Sequence, residues 1–278
     1  GNIGVLEGAR FYKVDGDYYI VLTHPPDAEY VLRSSTGPFG PYTLRTLVAP
    51  VGSPVAGSGF PHQGGLVETQ NGSWYYMAFI DAFPGGRIPV LAPVTWTDGW
   101  PTVTLVSGAW GASYPYPDVP RPPVATKPLT GIDTFTDAAL APDWEWNHNP
   151  DDSKWSAGGK LTLRTATVTN DLYAARNTLT RRIIGPESTA TIELDYSMMQ
   201  DGDRAGLALF RDASAWVGVK RTGDAYAVAM VNGLTLENGG WTTTGMGSEA
   251  KSAAVSGGKL WLRISADIRP GPNRVGPY

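Results

Sequence analysis

The amino-acid sequence predicts an all-β fold, part of a β-propeller followed by a β-sandwich. Three observations lead there. Short strand-like runs bounded by Gly, Pro, Asn and Asp recur along the chain, and no segment sustains a helical period. A layout near the N-terminus returns once: Gly4-Val5-Leu6-Glu7-Gly8-Ala9-Arg10-Phe11-Tyr12-Lys13 leads to an Asp15-Gly16 turn and Asp17-Tyr18-Tyr19, and Pro61-His62-Gln63-Gly64-Gly65-Leu66-Val67 leads to Asn71-Gly72 and Ser73-Trp74-Tyr75. The turns, at 15 and 71, stand 56 positions apart, slightly more than the roughly 40–50 residues of one propeller blade. Finally, a Pro-dense stretch at 112–130 separates this section from a second set of alternating strands.

Taken in order, the first section (1–111) offers strands at Ala9 to Lys13, Tyr18 to Thr23, Tyr30 to Ser34 and Thr43 to Val48. A second set follows at Gly65 to Glu68, Trp74 to Ile80, Arg87 to Trp96 and Thr102 to Val106. That is about two blades, and a propeller closes with at least about four. Pro115, Pro117, Pro120, Pro122, Pro123 and Pro128 make 112–130 an extended linker. In 131–278, Lys160 to Arg164, Thr189 to Asp195 and Leu260 to Ser265 alternate with period two. Gly206 to Phe210, Ala215 to Lys220 and Ala225 to Val231 add further strands, as expected of a sandwich. The chain opens without Met and almost on top of its best candidate site, which reads as an internal fragment whose ring and sandwich are both incomplete.

Glu7 lies eight positions before its turn and His62 nine before its own, so the two are expected at equivalent places in successive blades. The first strand of a blade lines the central channel, which aims a carboxyl group and an imidazole at one axial pocket. Composition narrows the chemistry. A net charge of −4 without a basic cluster argues against a nucleic-acid surface, and no apolar run reaches the roughly 18 residues of a membrane-spanning helix. With Cys 0, neither a disulfide framework nor a thiolate metal site can form, and the redox compartment stays open. Asn71-Gly72-Ser73 is a glycosylation sequon that reads better as a hairpin turn. Ten Trp and thirteen Tyr offer flat faces that suit sugar rings, although strand cores claim most of them.

Several segments resemble glycoside hydrolase family 43, in its branch with an appended C-terminal sandwich. They are Glu7-Gly8-Ala9-Arg10-Phe11-Tyr12-Lys13, His62-Gln63-Gly64-Gly65-Leu66 and Gly86-Arg87-Ile88-Pro89-Val90-Leu91-Ala92-Pro93-Val94-Thr95-Trp96, with Trp144-Glu145-Trp146-Asn147-His148-Asn149-Pro150 and Asp201-Gly202-Asp203-Arg204-Ala205-Gly206-Leu207 in the sandwich. The resemblance implies a five-bladed propeller with a concanavalin-like sandwich. It further implies inverting hydrolysis of β-xylosides, α-L-arabinofuranosides or arabinan, with xylan- or arabinan-derived saccharides as partners. One carboxylic acid then protonates the leaving oxygen while a carboxylate activates water from the opposite face, and the family adds a third that orients the acid. Glu7 matches the acid; the other two have no matching motif in this chain. By the same resemblance His62 and Arg87 are substrate-site residues. The resemblance also implies that His62 lies on the propeller axis, where it is a candidate ligand of a structural calcium ion, and that no other cofactor is required. An extracellular location is expected and a cytoplasmic one left open. The alternative reading is a non-catalytic carbohydrate-binding protein.

Each assignment has a plainer competitor. Glu7 could be an ordinary loop carboxylate, His62 a satisfied core histidine, and Arg87 a solvated strand end. Trp74, Tyr75 and Tyr76 read as alternating strand residues in preference to a sugar platform. His24-Pro25-Pro26-Asp27 occupies a loop of the kind where specificity residues gather. Asp151-Asp152 and Asp201-Gly202-Asp203 read as solvated turns, since their spacing does not fit a calcium loop. Trp144, Trp146, Asn147 and His148 are expected to brace the sandwich against the propeller.

Overall fold

The structure is a computed structural model that describes residues 4–25, 28–121, 123, 127–237 and 239–271. It divides into two compact units, Gly1–Thr126 with Ile268–Tyr278, and Lys127–Asp267. The segment from Ile268 onward therefore groups with the N-terminal unit, where the sequence places it at the end of the sandwich.

Eight strands build the first unit. β1 (Glu7–Val14), β2 (Asp17–His24), β3 (Ala28–Ser34) and β4 (Thr43–Val48) form one antiparallel sheet in chain order. β5 (His62–Glu68), β6 (Trp74–Asp81), β7 (Arg87–Thr97) and β8 (Trp100–Val103) form the next. Two consecutive four-stranded meanders are two propeller blades. Asp15 and Gly16, at φ 49° and 91°, make the two-residue turn whose twist matches that of its flanking strands. Asn71-Gly72 instead sits within a longer loop between Glu68 and Trp74, where Asn71 donates its amide to the Asp118 carbonyl. The predicted Thr102 to Val106 strand shifts back to β8, leaving Val106 in an isolated bridge with Ala109.

Alternation decides what lies between the blades. On β2 and β3, Tyr19, Val21 and Val31 point to one face; on β5, β6 and β7, Leu66, Tyr76, Ala78, Ala92 and Val94 do so. These two faces meet in a single buried cluster closed by Trp100, Val103 and Trp110. Trp74 and Trp96 pack edge to face against its rim at 5.3 Å, and Tyr76 is fully buried, so these aromatics are core. Beyond the core, Arg33 pairs with Asp17 at 2.6 Å and reaches the Asp98 carbonyl at 2.7 Å, tying the first blade to the β7–β8 turn.

In the second unit, β13 (Glu187–Asp195) pairs with β18 (Lys259–Asp267), and β14 (Arg204–Leu209), β15 (Ala213–Thr222), β16 (Ala225–Leu236) and β17 (Thr243–Ala254) form a four-stranded sheet. Leu194 and Leu260 from the first pair meet Val219 and Tyr226 from the second sheet around Tyr196, which makes a sandwich. Short pairs complete it: β9 (Trp144–Trp146) with β12 (Leu179–Arg181), and β10 (Trp155–Ser156) with β11 (Thr162–Leu163). Only Thr162–Leu163 of the predicted Lys160 to Arg164 strand is paired. Trp144 donates to Asp133 at 2.8 Å, Trp146 stacks on Trp155 at 5.3 Å, the Asn147 amide donates to Thr178 O at 3.0 Å, and His148 Nε2 lies 2.7 Å from Tyr173 O. Each thus has a partner inside this unit. Asp151 caps a one-turn 3-10 helix, Asp203 accepts from the Gln200 amide of its own turn, and Asp201 accepts from the Gly223 amide in the β15–β16 turn, so these acids hold turns, as expected.

Both blades are also apolar on their outward faces. Phe11, Ile20, Leu32 and Leu44 lie opposite one another across the first blade, and Val67 with Tyr75, and Met77 with Leu91, across the second. Phe11 is 55% and Met77 52% exposed. We expect the 278-residue chain alone to self-associate through these faces. In gel filtration with light scattering, the unaltered chain should elute as oligomers, and Phe11→Glu combined with Met77→Glu should shift it toward monomer. A monodisperse monomer of the unaltered chain contradicts this.

Candidate functional site

The two first strands open in the same way. In β1, Glu7 pairs with Thr23 and Arg10 with Val21, so Gly8 and Ala9 together face one residue of β2. In β5, His62 pairs with Phe79 and Gly65 with Met77, so Gln63 and Gly64 together face one residue of β6. Each is a β-bulge that bends its strand and re-aims the residue before it. Glu7 and His62 are the first residues of their strands and occupy matching positions ahead of matching bulges.

The bulges interlock. Gln63, at φ 48°, turns its amide toward the first blade, donating to Glu29 Oε2 at 3.0 Å and Thr23 Oγ1 at 3.2 Å. Arg10 Nε donates to the Gly64 carbonyl at 3.2 Å, and the Leu66 amide donates to the Tyr12 hydroxyl at 2.9 Å. Glycine is required at two points of this seam. A Cβ on Gly64 would collide with the Met77 carbonyl and the Tyr76 ring; one on Gly65 would stand 2.7 Å from Arg10 Cδ and 2.8 Å from the Tyr12 hydroxyl.

His62 is buried. A carbonyl can only accept, so Nδ1, 2.8 Å from Phe60 O, carries the proton of this ring contact. Nε2 faces Asp81 Oδ2 at 3.8 Å, beyond hydrogen-bond reach. Asp81 Oδ1 accepts from Arg87 Nε at 3.1 Å, and the guanidinium lies 4.5 Å over the Phe79 ring. Phe79 also packs against the His62 ring at 4.6 Å. Imidazole, carboxylate, guanidinium and phenyl thus form one connected group at the end of the second blade. Loops frame it: Gly59 N donates to Asp81 O at 2.8 Å, and a Cβ on Gly57 or Gly85 would lie 2.7 Å from Pro270 O or 3.5 Å from Ile268 Cδ1.

Behind the seam sits a buried acid. Glu29 has no exposed surface, and burial pushes its carboxyl up to about 7 against the opposing pull of the neighbouring Thr23 and Tyr76 hydroxyls and the Gln63 and Gly64 amides. Glu29 Oε1 and the Tyr76 hydroxyl, both enclosed, make no hydrogen bond of ordinary geometry, so their contact offsets little of that penalty. Burial, followed by the nearby Glu29 charge, raises Tyr76 well above the usual tyrosine range.

Comparison with known proteins decides the family. The pattern described as "Glycosyl hydrolases family 43" matches residues 1–101, and that described as "Beta xylosidase C-terminal Concanavalin A-like domain" matches residues 132–270. The chain belongs to glycoside hydrolase family 43. It is 31% identical to a β-xylosidase of Formosa agariphila, over 77% of this chain and 44% of that protein. A non-reducing end α-L-arabinofuranosidase of Bacteroides ovatus is 30% identical, over 74% of this chain and 41% of the relative. The chain therefore spans less than half the length of these curated relatives. Among solved structures, a family 43 hydrolase engineered to display both endo-xylanase and exo-arabinofuranosidase activity superposes with a TM-score of 0.88 at 50% identity, over 95% of this chain and 52% of that one. A family 43 protein from Bacillus licheniformis gives 0.78 at 25% identity, over 94% and 52%.

Within this family 43 chain, Glu7 is exposed at the mouth of the first bulge, while His62 and Arg87 come together through Asp81. The bulge seam connects Glu7 to that group, with the Gln63 side chain against Gly8. His24 ends β2, and Pro26 and Asp27 of its loop lie outside the described residues. The sequence reading missed Asp81 and Glu29, having ended one strand at Ile80 and begun another at Tyr30. The alternation of β6 runs on to Asp81 opposite Arg87, a signal that was available. Among the described residues no three His, Asp or Glu side chains gather into a group that could hold a metal ion.

Two outcomes follow from the seam. Gly64→Ala should cost about 3 kcal/mol or more, since backbone must move to admit the methyl; chemical denaturation measures it. Glu29 holds its proton up to about pH 7 when folded but releases it near 4.5 when unfolded. Its contribution is therefore full below pH 4.5 and lost as pH rises through 7, on the order of 3 kcal/mol in all. Melting of the full-length protein across that range should show the decline in wild type, and Glu29→Gln should flatten it.

Proposed function

We propose that the whole protein is an inverting glycoside hydrolase acting on xylo-oligosaccharides or on arabinofuranosyl-substituted xylan or arabinan, with Glu7 as its general acid. The observation that carries this is the equivalence of Glu7 and His62 at the heads of two bulged channel strands, in a family 43 chain. Curated relatives named β-xylosidase and α-L-arabinofuranosidase support the substrate class.

Glu7 delivers its proton to the glycosidic oxygen as the bond to the anomeric carbon breaks, while water attacks from the opposite face. The base that activates this water and the carboxylate that orients the acid have no matching motif in these 278 residues, so the proposal concerns the whole protein. Arg87, held by Asp81 and Phe79, presents a fixed fork of donors for sugar hydroxyls. His62, with Nδ1 committed to Phe60 O, is a rigid wall of the sugar site.

The test is hydrolysis of aryl β-xyloside, aryl α-L-arabinofuranoside and xylobiose by the full-length protein and its Glu7→Gln variant. Glu7→Gln should lower kcat on xylobiose at least about a hundredfold, general acid catalysis being worth typically 10²–10⁴. The loss should shrink on aryl substrates, whose leaving groups need less protonation. Arg87→Ala should raise KM about tenfold, the scale of one lost charged hydrogen bond. No turnover of any of the three by the intact protein would favour a binding protein.

A further inference from the structure

Glu29 is the one fully buried carboxyl group of the described propeller strands, and the proposed chemistry does not use it. It stands in a register row with Thr23 and Glu7, since Glu7 pairs with Thr23 across β1–β2 and Thr23 with Glu29 across β2–β3. From this row Glu29 Oε2 and Thr23 Oγ1 both accept from the Gln63 amide, the residue after His62. The Gln63 side chain in turn lies against Gly8, where a Cβ would stand 3.2 Å from it, and Gly8 follows Glu7. One peptide unit therefore sits between the two site residues, and Glu29 holds its amide.

We propose that Glu29 is a positioning residue, which keeps the two first-strand bulges in register and through them the Glu7 carboxyl and the His62 imidazole. This rests on the reading of Glu7 as general acid. A bulge removes an amide from its own ladder, and a buried amide without an acceptor is costly. Of its two acceptors Glu29 Oε2 at 3.0 Å is the nearer and Thr23 Oγ1 at 3.2 Å the more distant. The titratable and charged groups around Glu29 are Tyr12 and Arg10 from β1, Tyr76 from β6, His62 beside Gln63 on β5, and Glu7 at the end of its own row. Tyr76 and Tyr12 interact directly with its charge. Neither supplies the cation that a buried carboxylate needs. Ionised, Glu29 draws the Tyr76 hydroxyl and the bulge amides toward itself, and the register of the seam changes.

The experiment compares full-length wild type, Glu29→Gln and Glu29→Ala on xylobiose, reading kcat and KM separately from pH 5 to 8.5, with hydrogen exchange at the Gln63 amide. Glutamine matches the protonated acid in shape and still accepts from Gln63. Glu29→Gln should keep kcat within about threefold of wild type at pH 6, and the ratio of its kcat to that of wild type should rise between pH 6 and pH 8, because loss of the general acid's proton is common to both and cancels in that ratio. Glu29→Ala should lose roughly tenfold to a hundredfold in kcat, the scale of an ångström of misplacement, with KM little changed and Gln63 exchange accelerated. Full activity in a folded Glu29→Ala overturns the proposal, as does Glu29→Gln behaving like Glu29→Ala, or a Glu29→Gln to wild-type kcat ratio that does not rise with pH. If Glu29→Ala does not fold, the Glu29→Gln profile decides alone. If Glu7→Gln retains full activity, the catalytic reading fails instead. Gln63 exchange in the Glu29 variants then still reports whether Glu29 holds the seam, and unchanged exchange overturns that too.

Discussion

The amide of Gln63 is the point on which the channel end of this propeller depends. A regular ladder would satisfy it within its own sheet. The β5 bulge turns it outward, and its acceptors come from the neighbouring blade, as Glu29 Oε2 and Thr23 Oγ1. The next carbonyl, of Gly64, is met by Arg10 in the same way, and the amide of Leu66 by Tyr12. Blade packing alone is apolar and therefore tolerant of sliding. Three directional contacts over four residues are not, because each buried group left unmet costs about 1–3 kcal/mol. The register between the blades is set by backbone that one blade cannot satisfy for itself.

That constraint explains the glycines and the buried acid together. Gly64 and Gly65 exist where the neighbour's side chains and the strand's own carbonyls come too close for a Cβ. Glu29 sits where an acceptor must reach across the seam from a buried site, and that burial keeps its carboxyl protonated far above the usual glutamate range. Glu7 on one bulge and the His62–Asp81–Arg87 group beside the other stand on backbone fixed from behind. On the proposed assignment, precision at the sugar site comes from this wall and not from the loops above it.

Much of this arrangement was legible in the residues. The parallel between Glu7 and His62 follows from their distances to two turns, because a repeated strand–turn–strand unit keeps its register even when one turn is longer. Asp81 and Glu29 were hidden for a shared reason. Each is a charged residue at a strand end beside a loop, where sequence patterns break off and an acid reads as solvated. Burial of Glu29 depends on the second blade's bulge, 34 positions away, and no local pattern reports contacts at that range. β17 was missed from the opposite direction. Thr243–Ala254 is rich in Ala, Ser and Gly and exposed along nearly its whole length, so it has no apolar face to betray it. It is a strand because β16 offers an unpaired edge, and its Glu249 and Lys251 suit a polar outer strand.

The two units also differ in a way that bears on how such chains are read. Strand β6 runs Trp74-Tyr75-Tyr76-Met77-Ala78-Phe79-Ile80, apolar on both faces, and β2 carries Tyr19 and Val21 on one side with Ile20 and Leu22 on the other. Strand β13, Glu187–Asp195, places Ile192 and Leu194 on one face and Thr191 and Glu193 on the other. A sheet sealed on one side needs alternation; a blade stacked between neighbours needs none. Period-two alternation therefore marks the β13–β18 pair of the sandwich. The inner strand β16, apolar at every position from Ala225 to Val231 and paired on both sides, reads like a blade strand, so what the pattern reports is how many faces a strand buries.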